Sequence, residues 1–218
     1  MCIRDRITTI PVAVAQAAMD TGVARRPITD LHEYRVQLAA RQDRTAESVN
    51  RIFDRVRANP QRMIFAEGED EKIIRAAVQW RDHGFGEAIL VGRAQRINDA
   101  MQRIGLENRK GIEIANAAVS SHVDEYIDFL YGKLQRKGYL KRDIVRMVKN
   151  DRNIFAACML SVGHGDAMIT GYTRNYNVCL KDVLKVIDIQ PGEPLFGMSM
   201  LITKNKRTVF IADTTVQE

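Results

Sequence analysis

Between Asp166 and Tyr176 the chain reads Asp-Ala-Met-Ile-Thr-Gly-Tyr-Thr-Arg-Asn-Tyr. A short apolar run of strand type enters Thr170-Gly171. Hydroxyls, a guanidinium and a carboxamide follow, just ahead of a stretch with helical periodicity. The first N–H groups of a helix have no internal partner and attract anions, and an arginine can grip a phosphate or carboxylate through two parallel bonds. The residue types therefore fit a phosphate or carboxylate site. Thr and Asn at a helix start also serve as plain caps, and both readings stand.

Two further strand-end turns carry polar residues. In Ala66-Glu67-Gly68-Glu69-Asp70-Glu71, Gly68 frees the turn, and the carboxylates that follow suit the positive end of a helix, so capping explains them. Those same charges would repel a phosphate. Ala212-Asp213-Thr214-Thr215 combines an acid with hydroxyls, where turn or capping use is sufficient. The chain has no GxGxxG, Walker-type loop, GxSxG elbow or histidine-rich metal motif. Cys2, Cys158 and Cys179 form no CxxC pair, and His32, His83, His122 and His164 show no metal-ligand spacing, so no metal site is expected.

Elements of alternating type must position these turns. Thr8–Gly22 has small apolar residues at helical spacing, and Asp30–Asn59 reads as one long charged helix or two, ended by Asn59-Pro60. Strand-like runs then recur at 63–66, 88–91, 112–114 and 167–170, and again at 196–203 and 208–212. Helical patterns lie between them at 69–83, 94–104, 124–137, 141–148, 154–161 and 176–187. This alternation predicts an α/β fold, a doubly wound, mainly parallel sheet with helices on both faces, preceded by a helical arm, with the last two strands completing the sheet. Ligands of such sheets sit at the carboxyl ends of the strands.

The 218 residues carry a net charge of +6. Residues 1–62 hold 11 Lys and Arg against 7 Asp and Glu, whereas residues 63–218 hold 22 against 20. The excess thus lies on the arm, with no basic face interleaved with aromatics in the main part, and a nucleic-acid partner is not expected. No apolar stretch approaches the roughly 18–20 residues that span a membrane. Residues 1–6 match no signal peptide and nothing downstream, and are set outside the fold.

Taken together, FAEGEDEKIIRAA at 65–77, AILVG at 88–92, DAMITGYTRNY at 166–176 and FIADTT at 210–215 resemble the phosphate acetyl/butyryl transferase family, in order and spacing. Within it, TGYTRNY and the preceding DRNIFAACM at 151–159 are similar to the C-terminal domain of large, multidomain bacterial NADP-dependent malic enzymes. IPVAVAQAAMDTGVARRPI at 10–28 is similar to the end of their catalytic part. The resemblance implies three segments: residues 1–29 a remnant of that catalytic part, 30–60 a helical linker, and 61–218 the N-terminal portion of the transferase-like domain, cut short at both ends. A fragment of this kind is expected to aggregate.

The resemblance also implies a cytoplasmic parent that decarboxylates malate oxidatively with NADP and Mg or Mn, none of whose catalytic residues or cofactor sites lie in this chain. Active transferases of the family have a histidine and small hydroxyl residues where this chain has Arg174, Asn175 and Tyr176, and an arginine-proline pair where it has Lys181-Asp182. Another functional arginine of the family falls near Leu134, flanked here by Lys133 and Arg136. No catalytic residue is therefore assigned. By resemblance, the domain assembles a homo-oligomer and senses acetyl-CoA or a related phosphate ligand. Thr173, Arg174, Asn175 and Lys181 would contact its phosphates, and Thr170 and Gly171 would shape the turn. The alternatives are an active acyltransferase moving an acyl group between phosphate and CoA, and a purely structural docking domain.

Overall fold

The computed structural model describes residues 3–28, 30–42, 46–106, 109–203 and 207–216. The chain divides into two compact units, Val56–Pro194 and a second made of Met1–Arg55 with Leu195–Glu218.

In the first unit, four short strands form a parallel sheet: β1 (Met63–Phe65), β2 (Ala88–Val91), β3 (Ile112–Ala115) and β4 (Ala167–Ile169), in the order β3-β2-β1-β4. Met63 pairs with Ala88 on one side and with Ala167 on the other. The chain thus builds outward from β1 through β2 to β3, then returns to place β4 on the opposite side of β1. The reversal opens a crevice at the carboxyl ends of β1 and β4, where open α/β sheets bind ligands.

Alternation along each strand feeds a separate core on each face of the sheet. Phe65, Ala88 and Leu90 pack with Ile74, Ala77, Ile97, Ala100 and Met101 of α4 (Glu71–Asp82) and α5 (Ala94–Arg103). Ile64, Ala66, Ile89 and Val91 turn to the other face. There they meet α6 (Val123–Leu134), α7 (Lys141–Asn150), α8 (Arg152–Val162) and α9 (Tyr176–Val186). Every residue of β2 is buried, as expected of an inner parallel strand. Asn153–Met159 of α8 are all buried, so this helix is apolar around its whole circumference and lies inside the unit. Helices on both faces of a parallel sheet are the architecture that the alternating pattern predicts.

The second unit holds α1 (Ile3–Asp20), α2 (Leu31–Gln42), most of α3 (Ala46–Ala58), and a hairpin of β5 (Met198–Ile202) and β6 (Thr208–Ala212). Two features differ from expectation. Residues 3–6, set outside the fold, continue α1, which runs through Pro11 even though proline removes a helical hydrogen bond. The last two strands do not complete the parallel sheet. They pair antiparallel with each other, Met200 opposite Phe210 and Leu201 opposite Val209, as a separate two-stranded sheet. Apolar alternation identifies a strand, but it does not name the strand's partner.

Candidate functional site

Two close approaches shape the crevice. Gly68 follows β1 where the turn presses on β2, and a Cβ there would come within 2.8 Å of Leu90 Cβ. Gly171 follows β4 with φ +98°, a conformation that side-chain-bearing residues rarely adopt. The chain turns there so that the next two backbone N–H groups point back at β1. They meet Glu67, which is 1% exposed. Its carboxylate accepts from Tyr172 N–H at 2.6 Å, Thr173 N–H at 3.0 Å and the Thr173 hydroxyl at 2.6 Å. Burial alone would push this carboxyl up. The bonds from Thr173 and Tyr172, with Arg152 nearby, outweigh burial and hold it below the usual range. The nest of amides that could have taken a ligand's anion is therefore filled from within the chain.

The six sequence-predicted residues have separate roles. The Thr170 hydroxyl donates to Asn153 Oδ1 at 2.7 Å. Gly171 makes the turn, and the Thr173 hydroxyl bonds Glu67 while accepting from Arg152 Nη2 at 2.7 Å. Asn175 caps α9, its side chain accepting from Asn177 N–H. Lys181 is exposed on α9 and does not line the cleft described next. Arg174 does line it. The guanidinium of Arg174 donates to Asp151 Oδ2 at 2.8 Å and lies 3.9 Å from Asp182, and the Asp151 bond pushes its already high pKa further up. Asp151 is itself fixed as the N-cap of α8, accepting from Asn153 and Ile154 N–H. Lys133 pairs with Asp188 at 2.7 Å.

The cleft has a volume of about 620 Å³ and is lined by Arg93, Arg96, Lys149, Arg152 and Arg174, with Glu69 as its carboxylate. Arg93 and Arg96 come from the turn after β2 and the start of α5, and Lys149 and Arg152 from the α7–α8 junction. Sequence reasoning missed these four. The rule that points to strand-end turns would have reached Arg93, because it follows Gly92 at the end of β2. The acidic run after β1 is also only partly a cap. Asp70 caps α4 by accepting from Lys72 N–H. Glu69 reaches across to Arg93 Nε at 2.8 Å and Arg96 Nη1 at 3.3 Å. The Arg93 bond leads in lowering its carboxyl to about 2.

This arrangement can hold a polyanion but is poorly equipped to move a proton. Its carboxylate is locked in an ion pair far below neutrality, whereas a useful general base titrates near the working pH. Arg152 Nε is buried with no hydrogen-bond partner, as is Asn153 Nδ2. Buried N–H groups normally find an acceptor.

Comparisons with known proteins agree with this architecture. The NADP-dependent malic enzyme of Rhizobium meliloti is 47% identical over 213 residues, which is 97% of this chain but 28% of that enzyme. A probable NADP-dependent malic enzyme of Rickettsia prowazekii is 42% identical with the same coverage. The chain therefore spans less than a third of the length of these relatives. Among solved structures, the EutD phosphotransacetylase of Staphylococcus aureus superposes with a TM-score of 0.70 over 79% of this chain and 52% of its own, at 21% identity, which is a likeness of fold. The family model for phosphate acetyl/butaryl transferase matches residues 48–218, the whole of the parallel sheet and its helices, and the chain belongs to that family.

Proposed function

We propose that the chain is a ligand-sensing and assembly module of a larger NADP-dependent malic enzyme, binding acetyl-CoA through its phosphates without transferring the acyl group. The observation that carries this reading is the lining of one cleft by five cationic side chains, Arg93, Arg96, Lys149, Arg152 and Arg174, against the single carboxylate of Glu69. A phosphate-bearing ligand supplies acceptors and charge to all five.

Arg174 supports a reading without acyl transfer. By resemblance Arg174 stands where active members of the family have a histidine, and a guanidinium tied to Asp151 neither accepts a proton nor attacks an acyl group. The parent would oxidise and decarboxylate malate with NADP and Mg or Mn in the cytoplasm, on segments other than this one. Assembly into a homo-oligomer draws support from the hairpin, where Met198, Met200 and Phe210 on one face and Leu201, Val209 and Ile211 on the other are all exposed. Among the described residues, no helix is long and apolar enough to cross a membrane.

A single assay separates this reading from an active acyltransferase. With acetyl phosphate and CoA both supplied, the 218-residue chain is expected to consume neither. CoA-dependent loss of acetyl phosphate that disappears in Arg174→Ala would establish the transferase instead.

A further inference from the structure

Away from the basic cleft, two histidines and a carboxylate converge. His122 is the N-cap of α6 and Glu125 lies three residues on, which places both side chains on one face of the first helical turn. His164 arrives from the turn that ends α8. There Gly163 takes φ +88°, and the N–H groups of Gly163 and His164 bond back to Leu160 and Met159, so the backbone carrying the ring is closed by hydrogen bonds. Glu125 Oε2 stands 3.1 Å from His122 Nδ1 and 4.0 Å from His164 Nε2. The three ligand atoms all lie within 4.8 Å of one another. An ion bound at about 2.0–2.2 Å holds tetrahedral ligands about 3.4 Å apart, so small side-chain rotations bring these three into its shell.

We propose that His122, Glu125 and His164 form a binding site for a divalent transition metal of the zinc class. Two imidazoles and a carboxylate match the three-ligand sets of zinc sites that keep one position open. A second observation favours a ligand role over a chance surface pair. The hydroxyl of Tyr126, a residue 1% exposed, lies 2.6 Å from His164 Nδ1. Metal-binding histidines are oriented in this way through the other ring nitrogen, which leaves Nε2 free to ligate. In the tautomer that carries its proton on Nδ1, the ring N–H donates to the phenol oxygen and the Nε2 lone pair, 4.0 Å from Glu125 Oε2, is free to ligate. His122, His164 and Tyr126 also line a cavity of about 510 Å³, together with Ser120, Ser121 and Asn116, which has room for a water or a small anion beside the ligands.

The test uses the 218-residue chain freed of metal with a chelator, then titrated with Zn²⁺ by calorimetry and with Co²⁺ by visible absorption. One ion per chain, a Co²⁺ spectrum of tetrahedral intensity and a Zn²⁺-dependent rise in Tm are expected. His122→Ala, Glu125→Gln and His164→Ala should each weaken Zn²⁺ binding at least tenfold. Because all three side chains are at least partly exposed, the variants should retain the fold. Tyr126→Phe should keep the one-to-one stoichiometry and weaken binding about tenfold, which marks Tyr126 as a positioning residue. Absence of binding to the native chain at millimolar metal would overturn the proposal, as would affinity unchanged by all three ligand substitutions.

Discussion

Glu67 and Thr173 lie 106 residues apart in the chain, yet the Glu67 carboxylate accepts both the N–H and the hydroxyl of Thr173, at 3.0 and 2.6 Å. The contact ties the carboxyl end of β1 to the turn after β4 and closes the crevice between them. A buried carboxylate with three donors is stable only while all three are present.

Glu67→Gln should therefore destabilise the chain by about 2–3 kcal/mol. The amide has only one oxygen, and its NH₂ would face the Tyr172 N–H, donor against donor. Urea denaturation followed by circular dichroism measures the change. A loss below about 0.5 kcal/mol, the range of ordinary surface substitutions, would mean that Glu67 is not the latch.

Gly171→Ala probes the same turn through the backbone alone. Nothing lies within 4 Å of a Cβ built there, so the cost is that of φ +98°. About 1 kcal/mol of destabilisation is expected. A neutral result in the same denaturation experiment would show that the turn relaxes.

Much of this fold was legible in the sequence, because 63–66, 88–91 and 112–114 are apolar runs of strand length separated by amphipathic helices. The pairing of β5 with β6 was not, since no local pattern distinguishes an added parallel strand from a free hairpin. Arg174 was found because it follows a strand-turn sequence within a few residues. Arg93, Lys149 and Arg152 were not, because two separate connections, β2 to α5 and α7 to α8, carry them and only the folded chain gathers them in one cleft. His122 and His164 likewise look unrelated until the end of α8 returns beside α6.

Acid should weaken the fold through Glu69. Its folded carboxyl sits at about 2 against an ordinary 4.5, so its contribution is complete above pH 4.5 and is lost as the pH falls toward 2. Glu67 and Asp166 are shifted in the same direction. Urea midpoints should therefore fall between pH 4.5 and 2, and Arg93→Ala should flatten that fall by removing the leading partner of Glu69. An unchanged slope would show that the pair is not formed in solution.

The hairpin predicts self-association. Phe210 and Met198 are each 61% exposed, and apolar side chains stand on both faces of β5 and β6. Exposed apolar patches of this kind mark contact surfaces. Light scattering coupled to gel filtration should show species larger than one chain, shifted toward the monomer by Phe210→Lys. A monomeric native chain would contradict the assembly role.

The most direct measurement is calorimetric titration of acetyl-CoA into the 218-residue chain at low salt, beside Arg152→Ala and Arg96→Ala. Saturable binding is expected, with each substitution costing about 1.5–3 kcal/mol, the worth of a charge-assisted hydrogen bond, and with affinity falling as salt is raised. No binding to the native chain, or binding indifferent to Arg152, would contradict the reading of the cleft as a phosphate-ligand sensor.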